Sequence, residues 1–465
     1  MLADIEQKDR EHYARTRVAA AGRTADGKLA EMIYDPDKRQ TGFVVWDGAG
    51  VRYEPQVKLD DAHTITPYSP DNNLIKNRVV LFPTEAAEYE SDEALVTEIQ
   101  AFIHRYVDLA PAFERIAAHY VLFTWVYDAF NELPYLRFRG DFGSGKTRTL
   151  LTIGSLCYKP IFASGASSVS PLFRMLDSFR GTLVVDEGDF RVSDEKADLV
   201  KILNNGNARG FPVLRVEQNG NRKEFNPVAY AVFGPKLVGS RGFFQDRALE
   251  SRFVTQEMGH AKLRADIPIN LPASHGREAT ELRNRLLTFR FRNLLKVPCE
   301  QMPPLDPGLE PRLNQVLSPL MSVIQDNETR EELKVFARTL QRDIVADRGA
   351  DTEAQVLEII KTLREDEHPE FGLSVKVIAG KFAERFGDDY ARRVTAHWIG
   401  YVIRKRLGIK TERRRDGYMI VSTETAKLDR LLEKYGLASV NLENSVNLRQ
   451  ENEPPDPVNV QGRIT

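Results

Sequence analysis

The sequence predicts an α/β protein built on a parallel sheet, with a small β-rich module before it and a winged-helix unit after it. Three observations predict this. Strand and helix patterns alternate from residue 134 to about 270, as parallel strands joined by crossover helices do. Gly140–Thr147 reads G-x-x-x-x-G-K-[ST] between an apolar strand and a helix. Three helical patterns followed by a hairpin pattern occupy residues 351–436.

The totals bound the answer. A chain of 465 residues is too long for one hydrophobic core, and several domains are expected. A hydrophobic share of 42% is that of a globular protein. Lys plus Arg number 65 against 67 Asp plus Glu, so the net charge of -2 excludes no partner. Two cysteines, Cys157 and Cys299, exclude a disulfide framework and a Cys-rich zinc site, and fit a reducing cytoplasm. No apolar run approaches the length of a membrane span, and the charged start lacks the apolar core of a signal peptide; a cytoplasmic location with no membrane partner is expected.

The elements follow in order. Residues 1–90 form the β-rich module, because DPD, TG and DGAG punctuate short β-rich runs between Lys28 and Pro83. Residues 91–133 are a helical linker that opens on a Ser91 cap, with acids in the first turn and a mostly apolar second helix. Residues 134–270 are the nucleotide-binding core. In it PYLRFRG, PIFASG and GTLVVDEG read as strands, and VAYAVFGPKLVGS holds another that ends at Phe233–Lys236. Residues 271–350 are a helical lid or connector. Residues 351–436 are the winged helix, its hairpin turned at Asp416–Gly417. The polar tail 437–465 is expected to be disordered.

The candidate chemistry is triphosphate hydrolysis with ATP and Mg²⁺. Gly140, Asp141, Phe142, Gly143, Ser144, Gly145, Lys146 and Thr147 form the phosphate loop. Its glycines turn the backbone so that N–H groups face phosphate, and the following helix presents its positive end. Lys146 is placed to reach the β- and γ-phosphates, and the Thr147 hydroxyl to ligate Mg²⁺. Forty residues on from Lys146, the apolar strand Thr182–Asp186 ends in two acids. Asp186 suits the metal and Glu187 the activation of water as general base.

Beyond these acids the run from Phe211 to Val254 resembles the second half of a AAA+ replicative helicase core, of the mini-chromosome-maintenance-like and superfamily 3 kinds found in plasmids, phages and mobile elements. The resemblance covers about residues 134–260. VLRVEQNGNRKEFN reads as a hairpin turned at Asn219–Gly220. At this place the resemblance implies a pore hairpin, with Arg222 and Lys223 gripping one DNA strand. Ser251-Arg252-Phe253 is similar to the arginine-finger motif of the first group; it implies that Arg252, with Arg247 in reserve, reaches a neighbouring subunit's γ-phosphate. The sensor position departs from the family pattern, and Lys236 is the residue found there; Arg283 or Arg285 is expected as a second sensor.

In residues 371–435, 15 basic residues face 8 acidic ones, so the C-terminal unit is positive although the chain is not. Arg392 and Arg393 on or near the third helix, and Arg413, Arg414 and Arg415 on the wing, are expected to contact DNA. The resemblance as a whole implies a DNA helicase that assembles into a ring, hexameric in number, and moves on single-stranded and forked DNA in replication. A primase or single-strand-binding protein would be a further partner. Two other readings stay open: a AAA+ loader or remodelling ATPase that uses its winged helix only to locate DNA, and a DNA-binding factor with a nucleotide switch.

Overall fold

The computed structural model describes residues 16–437 apart from 166, 187–193, 219–224, 245, 260–262, 298–301, 350–351, 367–372, 388–393 and 416. The tail expected to be disordered lies outside the described residues from 438 onward. Contacts divide the chain into two compact units, Met1–Leu340 and Gln341–Thr465.

The first unit begins with seven short strands: β1 (Thr16–Val18), β2 (Ala21–Arg23), β3 (Leu29–Asp35), β4 (Gln40–Trp46), β5 (Val51–Glu54), β6 (Val57–Lys58) and β7 (Thr64–Thr66). They form an antiparallel sheet β2-β3-β4-β5 and a small sheet β1-β7-β6. Aspartates set the turns. Asp35 Oδ1 accepts from the backbone of Asp37 and Lys38, and Asp47 Oδ1 from that of Ala49 and Gly50. The buried face of β3 and β4, with Met32, Phe43 and Val45, belongs to the same apolar cluster as Ile161, Leu183 and Val185 of the next sheet. The N-terminal strands therefore share a core with the central parallel sheet.

Two helices follow. Ser91 accepts from Ala94 N at 3.1 Å to cap Asp92–Tyr106, as its sequence signals. Pro111–Val126 is buried along nearly its whole length.

The central sheet uses β8 (Tyr135–Arg139), β9 (Ile161–Ser164), β10 (Leu183–Asp186), β13 (Lys236–Ser240) and β14 (Phe253–Glu257). All five are parallel, in the order β14-β8-β13-β10-β9. All are short; β9 and β10 are nearly continuous apolar runs, as strands covered on both faces are, whereas β8, β13 and β14 mix apolar residues with polar ones, the buried Arg137 and Lys236 among them. The two remaining strands, β11 (Val213–Gln218) and β12 (Phe225–Tyr230), pair as a hairpin between β10 and β13.

The single strand expected across 228–240 is thus two, separated by Gly234 and Pro235. Lys236 begins β13 rather than ending a strand. Proline lacks the N–H of a ladder and suits a strand's entry. The β11–β12 ladder is described as far as Gln218–Phe225, and the turn expected at Asn219–Gly220 lies outside the described residues.

In the second unit, helices Thr352–Asp366 and Val375–Phe386 precede Ala396–Tyr401, which runs into a π-turn at Val402–Arg406. Thr395 caps the third helix, accepting from Trp398 N at 3.2 Å. Ile399, Val402 and Ile403 are fully buried, as the sequence spacing predicts. Strands β15 (Thr411–Arg414) and β16 (Gly417–Ile420) pair Arg414 with Gly417, so the hairpin turns one residue earlier than expected. A fourth helix, Thr425–Lys434, buries Leu428 and Leu432; its leucine spacing and the following Gly436 were signals that the sequence reading passed over. Among the described residues no helix is long and apolar enough to cross a membrane.

Candidate nucleotide site

The parallel sheet brings the C-terminal ends of β8, β13 and β10 side by side. β8 is buried along its length and delivers Gly140 into a narrow slot. Gly140 N donates to Ser240 O at 3.1 Å, and a side chain there would stand 2.6 Å from Met258 O. Only glycine allows the loop to leave between β13 and β14. Gly143 and Gly145 take left-handed φ of 76° and 91°, which turns the chain into the helix Lys146–Gly154. Thr149 N donates to Gly145 O at 3.0 Å, so the helix is regular from its first turn.

The expected phosphate-binding residues converge here. Lys146 Nζ donates to Gly140 O (2.6 Å), Asp141 O (2.7 Å) and Ser144 Oγ (3.3 Å). The ammonium therefore sits inside the loop, held by acceptors that phosphate oxygens can replace. Thr147 Oγ1 donates to Asp186 Oδ2 at 2.5 Å. A side chain at Gly239 would come 3.0 Å from Asp186 Oδ1, so this glycine of β13 gives the carboxylate its room. Phe142 projects from the loop tip, 88% exposed. Glu187 lies outside the described residues.

A divalent ion fits this donor set. Mg²⁺ takes one or two protein oxygens and keeps water and phosphate for the rest. Thr147 Oγ1 and Asp186 offer such a pair, already in contact.

Lys236, expected at the sensor position, does not face the loop. It lies at the opposite end of β13 from the loop, fully buried, with Nζ donating to Gly206 O (3.3 Å), Val232 O (3.0 Å) and Gly234 O (2.8 Å). Burial, with Arg252 nearby, pushes its pKa down to about 7. The residue at the phosphate end of that strand is Ser240, 2% exposed, whose Oγ donates to Gly242 O at 3.1 Å. The polar end of VGS was the signal, hidden by the misplaced strand boundary.

Arg252 stands just before β14, and its carbonyl accepts from Tyr135 N at the start of β8. It is thus a strand's length, about 17 Å for five residues, from its own phosphate loop. Its Nη1 donates to Asn204 Oδ1. Ser251 Oγ accepts from Arg312 Nε at 3.0 Å. Neither second-sensor candidate faces the loop. Arg283 is buried and donates to Ser155 O (2.7 Å) and Thr280 Oγ1 (2.7 Å), its pKa lowered to about 9 by burial, with Arg78 nearby. Arg285 pairs with Glu98 at 2.5 Å.

The expected DNA contacts are only partly described. Arg222, Lys223, Arg392 and Arg393 lie outside the described residues. Arg413, Arg414 and Arg415 are exposed on or beside β15, and Arg414 pairs with Glu412 at 2.5 Å. The sequence reading did not single out Tyr418, whose ring lies 5.1 Å from the Arg404 guanidinium.

No family model and no curated protein matches this chain. Several solved structures are similar to it. The A form apo structure of the NrS-1 C-terminal region is 11% identical with a TM-score of 0.35, over 84% of this chain and 96% of that one. A full-length MCM homolog from Methanopyrus kandleri is 10% identical with a TM-score of 0.32, over 68% and 76%. The X-ray structure of JCV helicase is 16% identical with a TM-score of 0.23, over 53% and 61%. The kinds of helicase that the sequence resembles recur among these structures.

Proposed function

We propose that the chain is an ATP-hydrolysing DNA helicase of AAA+ type that works as a ring, its last unit a winged helix. One observation carries this reading: Lys146, Thr147 and Asp186 meet at one end of the sheet while Arg252 stands at the other. An arginine a full strand away from its own loop would act on another copy's site rather than on its own.

The chemistry follows from the positions. Loop N–H groups and Lys146 hold the β- and γ-phosphates, and Thr147 and Asp186 hold Mg²⁺, which supplies charge neutralisation on the phosphate oxygens. Glu187, next after Asp186, takes the proton of the attacking water as the new P–O bond forms and the bond to ADP breaks. Ser240, between the loop and Asp186, is the polar group nearest the place of a first sensor. Arg252 of the adjacent copy neutralises the transition-state charge. The hairpin β11–β12, with Arg222 and Lys223 in its connection, would engage one strand through phosphate contacts that ignore sequence.

The test is ATP-driven unwinding of a forked duplex, with particle mass followed in ATP and single-stranded DNA. Strand displacement by a multimer is expected. ATP turnover indifferent to DNA, with no displacement by any assembled form, sinks the reading. One observation favours the loader alternative: Phe211, Leu214 and Val216 are 63–67% exposed at the hairpin, an apolar row suited to protein contact. Under that alternative, Arg222→Ala with Lys223→Ala leaves DNA stimulation of turnover intact.

A further inference from the structure

Arg252 is held back in this chain. Its Nη1 meets a neutral amide oxygen, Asn204 Oδ1, and its Nε is buried without a hydrogen-bond partner. A guanidinium offers five donors and prefers an anion that takes two of them. Arg252 therefore occupies a costly resting place, and burial lowers its pKa there. Any accessible phosphate offers it a better one.

Asn204 does more than accept from Arg252. Its Nδ2 donates to Asp246 Oδ2 at 2.7 Å, and Asp246 Oδ1 accepts from Ala248 N at 2.9 Å. The one amide thus grips both ends of the turn 246–252 that carries the finger. Asn204 also stands at the end of the helix Asp194–Asn205, two residues before Gly206. The Gly206 carbonyl accepts from Lys236 Nζ, which takes Val232 O and Gly234 O as well. One lysine nitrogen thereby ties together the chain entering the hairpin β11–β12 and the chain leaving it.

We propose that Asn204 is a positioning residue that latches Arg252 in a withdrawn place, and that its release, when Arg252 reaches the triphosphate of an adjacent copy, is passed through Gly206 and Lys236 to the root of the hairpin. The latch rests on the finger role given to Arg252 above. A neutral amide is the right strength for it. An alanine would let the finger go, and a carboxylate would hold it more tightly, as an ion pair that can take two of the guanidinium donors.

The experiment measures steady-state ATP turnover of the full chain, with and without single-stranded DNA, alongside thermal melting to confirm folding. Arg252→Ala lowers kcat by about a hundredfold or more. Asn204→Asp lowers kcat about tenfold with KM unchanged, because only the step that needs the finger is slowed. Asn204→Ala raises DNA-free kcat by about threefold, so stimulation by DNA shrinks. Asn204→Asp combined with Arg252→Ala is no slower than Arg252→Ala alone. If Asn204→Ala does not fold, Asn204→Ser is read in its place. A fast Arg252→Ala variant overturns the finger role, and the latch with it. A slow Arg252→Ala, with both Asn204 variants shifting kcat in the same direction or neither shifting it, overturns the latch alone.

Discussion

Thr147 Oγ1 and Asp186 Oδ2 meet at 2.5 Å although β8, which leads through the loop to the helix of Thr147, and β10, which ends at Asp186, are not neighbours, since β13 runs between them. The contact exists because β13 presents Gly239 at that level, where a side chain would press on the carboxylate. Asp186→Asn and Thr147→Ala should each lower kcat by about a hundredfold. Both should raise the Mg²⁺ concentration needed for half-maximal turnover. A titration of turnover against Mg²⁺ that gives the parent midpoint for both variants would remove the metal-holding role from this pair.

Glu31 joins the N-terminal strands to the central sheet and its helices. It is 3% exposed, accepts from Tyr158 OH at 2.8 Å and Arg290 Nε at 2.7 Å, and pairs with Lys159 Nζ at 2.9 Å. Arg290 also donates to both Asp128 oxygens, at 2.7 and 2.6 Å. Removing one member of such a buried network leaves the others charged and unmatched, so Glu31→Ala should cost about 3–5 kcal/mol in urea unfolding. Arg290→Met on top of it should cost much less than Arg290→Met alone. Burial would raise the Asp128 carboxyl, but Arg290 overrides it and holds the group below the usual carboxylate range. A depressed acid stabilises the fold above its unfolded pKa, so this contribution is complete above about pH 4 and fades below it. Additive costs of the two substitutions would contradict a single network.

Lys236 makes stability depend on pH in the opposite sense. Its folded pKa is about 7 and its ordinary value 10.5. Between these two values the unfolded chain carries a proton that the folded chain has released, so stability rises with pH across that window. Below it both states are charged, and the fold bears the full cost of burying the ammonium. Lys236→Met removes this dependence. Melting temperatures of the two proteins from pH 6 to pH 9.5 should diverge in slope, the parent rising relative to the variant. Parallel curves would show that the amine keeps its proton throughout.

The phosphate loop was legible because its residues are contiguous and each carries its own reason: glycine for the turn, lysine and threonine for charge and metal. Asp186 was legible because an apolar run that ends abruptly in acid is unusual in a buried strand. Lys236 was misread because Gly234-Pro235 looks like a strand's end, whereas here it opens one and moves the polar terminus to Ser240. The tie between Asn204 and Arg252 spans 48 residues and exists only because helix Asp194–Asn205 packs against the start of β14. No local pattern encodes it. The same holds for Glu31, which reads as a surface acid in an alternating strand until Tyr158, Lys159 and Arg290 close over it.

The hairpin of the second unit offers a test by salt. Arg414 is paired with Glu412 along its own strand, while Arg413 and Arg415 are exposed. Arg404 lies between the Tyr418 ring and Gly400, where a side chain would stand 2.9 Å from its Nη1. This packing fixes the third helix against the hairpin, so the exposed guanidinium groups move as one body with that helix. If they meet duplex phosphates, each contact releases counterions and adds about 0.9 to the slope of log affinity against log salt. Arg413→Ala with Arg415→Ala should therefore weaken duplex binding and reduce that slope by about 1.8. Arg414→Ala should change the slope less, because its charge is already engaged. Fluorescence anisotropy of a labelled duplex between low and moderate salt measures both. An unchanged slope in the double variant would place the β15–β16 hairpin away from DNA and leave the hairpin β11–β12 as the nucleic-acid contact to pursue.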